Sequence, residues 1–163
     1  MNGADAETTQ GVRVLRGRCL SYGQSVSLWL IADLLRSIFA LAEEEGLDAI
    51  RATIAGTVEA VLAACEPEDR SIAGDVLGEV LGLPAGGSLV GNAGAQIRRQ
   101  SLVRMLRLIL ASLAERQPMV LVLEDLHWLD TASEEILTEL LIDMPGATPS
   151  LEGTPTSSLH PRF

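Results

Sequence analysis

Glu124 and Asp125 stand side by side at the end of an apolar run, Met119-Val-Leu-Val-Leu123, and are followed by His127, Trp128 and a third acid, Asp130. Adjacent carboxylates raise each other's cost of ionisation, so a cation held between them and a ligand is chemistry that this pairing suits. At the C-terminal end of a strand such acids can reach a hard divalent cation or orient a water for attack. The acids alone would equally mark the point where a strand meets solvent.

Composition narrows the partners. The chain has 163 residues and is 47% hydrophobic, enough for a substantial core. Aromatic residues make up only 3%, which leaves little surface for stacking bases, and the net charge of −10 argues against nucleic acid or an anionic membrane. A basic helix built on Arg98, Arg99, Arg104 and Arg107 is set aside for the same reason, since core leucines are interspersed with those arginines. All twelve basic residues are arginine; lysine does not occur. Cys19 and Cys65 lack CxxC spacing and read as reduced core thiols. The N-terminus has neither the basic nor the apolar region of a secretory signal, and apolar stretches such as 25–42 are broken, there by Asp33 and Arg36. A cytoplasmic protein without a membrane span is expected.

The elements that must position the acids follow from periodicity. Residues 1–11 are small and polar and read as a disordered tail. Val12 to Leu20 reads as a strand, and 21–25 as a loop. Helices are expected over 27–42, 47–64 and 70–82, with a glycine-rich loop at 85–95 and a long amphipathic helix over 96–117. Pro118 ends that helix. The run 119–124 has strand length and β-branched content typical of a strand covered on both faces. Thr131 and Glu134 have capping-box spacing and open a last helix over 132–143. The proline-rich segment 146–163 has no periodicity and reads as a second disordered tail. Strand, helices, strand and helix make an α/β pattern, with two parallel strands joined by a right-handed crossover.

An apolar strand ending in acids has the Walker B arrangement. The longer string "LVLEDLHWLD" with its following helix resembles the Walker B segment of STAND-class signal-transduction ATPases, AAA-like modules of large bacterial regulators that often sit beside cyclase, kinase, repeat or LuxR-type domains. "GRCLSYGQSVSLWLIADLLR" is similar to the strand and helix after that family's phosphate-loop helix, and "QIRRQSLVRMLRLILASLAERQP" to its helix before Walker B. The resemblance covers about 12–145. It implies an incomplete P-loop NTPase three-layer sandwich, mostly helical, with its helical middle region over 27–117. It also implies ATP and Mg²⁺ as ligands of the complete parent domain. Glu124 would reach Mg²⁺, and Asp125 would be the second acid that positions the attacking water. Many relatives carry Asp at the first position, so either acid could be the principal one. His127 and Trp128 read as a structured turn with the Trp packed on the preceding helix, or as a nucleotide-sensing pair. Asp130 reads as part of the start of the helix, where an acid is favoured by the dipole.

A P-loop needs G-x-x-x-x-G-K followed by Ser or Thr. Without lysine the chain cannot contain it; the nearest spacing, Gly86 to Gly91, continues with Asn92 and Ala93. In the family the phosphate loop precedes the segment near Val12, and the sensor strand follows the helix ending near Asp143. The expectation is therefore a truncated module, inactive alone, that binds no cofactor stably. Its Walker B strand would keep an open edge, a liability or a surface for a protein partner. The alternative is a non-catalytic helical interaction module in which Glu124 and Asp125 are spectators.

Overall fold

The computed structural model describes residues 8–9, 11–21, 27–42, 44–63, 65–84, 94–142, 148–153 and 157–162. The chain divides into two compact units, Met1–Glu43 with Leu113–Phe163, and Glu44–Ser112. The first holds strands β1 (Thr8–Thr9), β2 (Val12–Arg18), β3 (Met119–Glu124), β4 (Thr148–Gly153) and β5 (Ser157–Arg162), with helices α1 (Trp29–Phe39) and α5 (Thr131–Ile142). The second holds α2 (Leu47–Val61), α3 (Pro67–Val80) and most of α4 (Ala95–Ala114). The chain is mostly helical, and β2 and β3 are its two parallel strands, as expected for an incomplete α/β fold.

The parallel pair runs in unbroken register from Arg13 opposite Met119 to Arg18 opposite Glu124. Burial alternates along both strands. Leu15, Gly17 and Cys19 of the β2 segment and Met119, Leu121 and Leu123 of β3 are buried, whereas Arg16 and Arg18 are exposed and Val120, Val122 and Glu124 half-buried. The expectation that β3 is covered on both faces is thus corrected: one face is sealed, and the other carries the arginines of β2.

Helix α1 lies beside β2 and meets it in two ways. Gly17 permits the close approach, since a Cβ there would lie 2.9 Å from Leu30 Cδ1 and 3.5 Å from Leu34 Cβ. The helix also accepts amides that β2 does not spend on β3. Arg16 N donates to Ser37 Oγ at 3.0 Å and Arg18 N to Asp33 Oδ2 at 2.8 Å. Four residues of helix advance about 6 Å and two of strand about 6.6 Å, so positions 33 and 37 match 18 and 16. Helix α1 ends where Ala40 turns left-handed (φ 52°) and Leu41 N reaches Arg36 O at 2.9 Å.

In the second unit, α3 begins at Pro67, earlier than the expected 70, because proline suits the first helical position and Glu68 and Asp69 suit the first turn. Arg70 bridges to Glu59 of α2 at 2.9 Å, and Arg104 of α4 lies 3.7 Å from Asp69. Ile50, Ile54, Val58, Ala73, Val76 and Leu77 are buried apolar positions of α2 and α3.

The open edge expected on β3 is occupied. Strand β5 pairs antiparallel with it, Val120 opposite Arg162 and Leu123 opposite Leu159, and β4 pairs with β5. Within the segments 1–11 and 146–163, Thr8–Thr9, Thr148–Gly153 and Ser157–Arg162 are strands; backbone groups along a strand edge accept any extended segment that reaches them. The loop at 21–25 lies outside the described residues except for Ser21. The Gly86 to Ala93 stretch lies outside them entirely. No described helix is long and apolar enough to cross a membrane.

Candidate functional site

The C-terminal ends of β2 and β3 bring together residues that the sequence separates by about a hundred positions. Because Arg18 and Glu124 are register partners, their side chains leave the same face. Arg18 Nε and Nη2 donate to Glu124 Oε2 at 3.1 and 3.0 Å, and Arg16 Nη1 lies 3.9 Å from Oε1. The pair is open to water, with Arg18 54% and Glu124 32% exposed at the side chain, so the ion pair by itself adds about 0–1 kcal/mol to stability.

After Glu124 the chain turns sharply. Asp125 adopts a left-handed conformation (φ 58°), which Asp tolerates better than most residues. A single 3-10 turn, Leu126–Trp128, follows, closed by Trp128 N on Asp125 O at 2.9 Å. Among the described residues no hydrogen bond or ion pair engages the Asp125 carboxylate. His127 and Trp128 lie on the surface with ring centroids 5.0 Å apart, and Trp128 is 36% exposed.

Asp130 is 8% exposed, and its Oδ1 accepts two backbone amides, Ser133 N at 2.9 Å and Leu28 N at 3.1 Å. The first caps α5; the second holds Leu28, itself left-handed (φ 63°), at the start of α1. The expected box opening at Thr131 is corrected by one residue. Asp130 is the cap, with a carboxylate that reaches the third amide of the helix.

Three carboxylates act on Cys19, which follows β2. Burial pushes its thiol from 9.0 up to about 11, and Asp130, Asp125 and Asp33 add to the shift. Asp33 is also raised from its ordinary value by burial, against the Arg18 amide and the charges of Arg18 and Arg36, with Glu124 raising it further. The sheet end is therefore a region of negative potential in which Arg18 is the nearest compensating charge. A raised thiol pKa keeps the folded chain protonated where the unfolded chain ionises, so this contribution to stability is full below pH 9 and is lost as pH rises towards 11. At pH 8 Cys19 should carry on the order of 100-fold less thiolate than an ordinary cysteine. A disulfide reagent is expected to label half-buried Cys65 first and Cys19 only on unfolding; equal labelling rates in the native chain would contradict the burial.

The sequence-expected acids are thus both at the strand end, but they are not equivalent. Glu124 is engaged by arginine and Asp125 is not. Carboxylate oxygens suit Mg²⁺, which needs only one or two of them beside phosphate and water. The arrangement suits it less well. Among the described residues no three His, Cys, Asp or Glu side chains are grouped to hold a metal, Glu124 already has a cation, and the chain has no lysine for a phosphate. The site as folded does not fit a metal held through Glu124. Arg18 and Asp33 were missed in the sequence reading; the available signals were an arginine ending a strand and an acid within the apolar stripe of α1.

The family model of the AAA ATPase domain matches residues 3–151. No curated protein and no solved structure matches the chain.

Proposed function

The chain belongs to the AAA ATPase domain family, and we propose that within it this is the Walker B part of a STAND-class, ATP-binding signalling ATPase. The family implies use of ATP and Mg²⁺ by the complete domain. In this reading β3 is the Walker B strand, Glu124 and Asp125 are its acids, and Asp125 is the group placed to orient an attacking water. The observation that carries it is the parallel pairing of β2 with β3 in a register that ends at Arg18 and Glu124. Ligands of open parallel sheets bind beyond the carboxyl ends of the strands, which is where these residues lie.

Alone the chain should turn over no nucleotide. A P-loop enzyme neutralises the β- and γ-phosphates with a lysine and successive backbone amides, and no lysine is present here. The phosphate-binding loop belongs, in this reading, to the parent module. Phosphate release from ATP by the purified chain is expected to stay at background. Joining a strand, phosphate loop and helix from an intact AAA ATPase ahead of Val12 should create turnover that Asp125→Asn lowers by about 100-fold or more. Turnover by the chain alone, or turnover in the fusion that ignores Asp125→Asn, would contradict the proposal.

A further inference from the structure

Both oxygens of Glu124 face guanidinium groups. Oε2 takes two donors from Arg18, and Oε1 has Arg16 at 3.9 Å. The contact with Arg18 is a consequence of register, and the backbone of Arg18 is pinned from the other side by Asp33. We propose that Arg18 is a built-in counter-cation for Glu124, occupying the carboxylate that a divalent metal would otherwise take. This inference rests on the Walker B reading of β3 and names a regulation of that site.

The chemistry favours arginine in that place. Guanidinium presents its donors as a fork that matches a carboxylate. Mg²⁺ sheds water reluctantly and demands near-octahedral geometry. A carboxylate already compensated and approached by two nitrogens is a poor ligand for it. The exposure of the pair keeps the lock weak enough to be displaced. A metal arriving at this end of the sheet therefore meets Asp125 as the uncompensated acid, and Glu124 joins only when Arg18 leaves.

The test is a Mn²⁺ titration of the whole chain without nucleotide, followed by electron paramagnetic resonance of the free ion, so its outcome does not depend on whether the chain belongs to an ATP-binding parent. Arg18→Met should bind Mn²⁺ on the order of tenfold more tightly than the wild type, because Glu124 is released as a second carboxylate ligand beside Asp125. Arg18→Gln, which keeps a polar end, serves as the second variant and should behave alike. Arg18→Lys keeps the charge and should stay within about threefold of the wild type. Adding Glu124→Gln removes the released carboxylate and should abolish the gain of the Arg18→Met variant. Failure of both neutral variants to gain affinity would overturn the proposal, as would a gain that persists in Arg18→Met/Glu124→Gln.

Discussion

Gly17→Val is expected to lower the unfolding free energy by about 2–3 kcal/mol, read as a fall in the urea midpoint with little change in slope. The position is buried in β2, and even a single carbon there would lie 2.9 Å from Leu30 Cδ1 and 3.4 Å from Leu123 Cδ2. Leu30 is 1% exposed and Leu123 is fully buried, so neither has free space into which to retreat. Valine adds two further carbons to that contact. Alanine should be milder, because the gain in strand propensity over glycine offsets part of the crowding and only the far end of Leu30 must move. A size swap makes the argument specific. Leu30→Ala alone should cost about 2–5 kcal/mol, but combined with Gly17→Val the loss should fall short of the sum by about 1 kcal/mol or more, as for residues in contact. Strict additivity would mean that α1 does not press on Gly17.

Asp130→Ala should cost about 2–3 kcal/mol. One oxygen serves both the α5 cap and the amide of Leu28, so alanine strands two donors at a nearly buried position. Asp130→Asn keeps an acceptor in the same place and should lose only about 1 kcal/mol. Amide exchange of Leu28 and Ser133 should accelerate in the alanine variant before the rest of the sheet does. Equal losses in the two variants would point to charge rather than to the paired acceptor.

Local pattern carried the elements and their type. β3 has the residues 119–124 expected of it, because an apolar β-branched run between Pro118 and two acids has one reading at that length. Helix α5 and the long helix α4 follow their stripes to within a few residues. What local pattern could not carry is pairing. Arg18 and Glu124 are 106 positions apart, and their meeting depends on which residue of β2 sits opposite which residue of β3. A one-residue slip would put either side chain on the other face. The same holds for Ser37 and Asp33, which look like flaws in an apolar helix until the β2 amides that donate to them lie beside them. Asp130 shows the smaller error: Asp-x-x-Ser and Thr-x-x-Glu are offset by one residue, and only the carboxylate contact to Ser133 N decides between them.

The parallel register of β2 and β3 alone sets Arg18 against Glu124 beside Asp125. Nuclear Overhauser contacts in isotope-labelled protein measure it directly. They should link Val14 to Val120, Gly17 to Leu123 and Arg18 to Glu124, with slow exchange of the Cys19 amide that donates to Glu124 O at 3.1 Å. Contacts shifted along the strands, or an antiparallel pattern between these two segments, would contradict it.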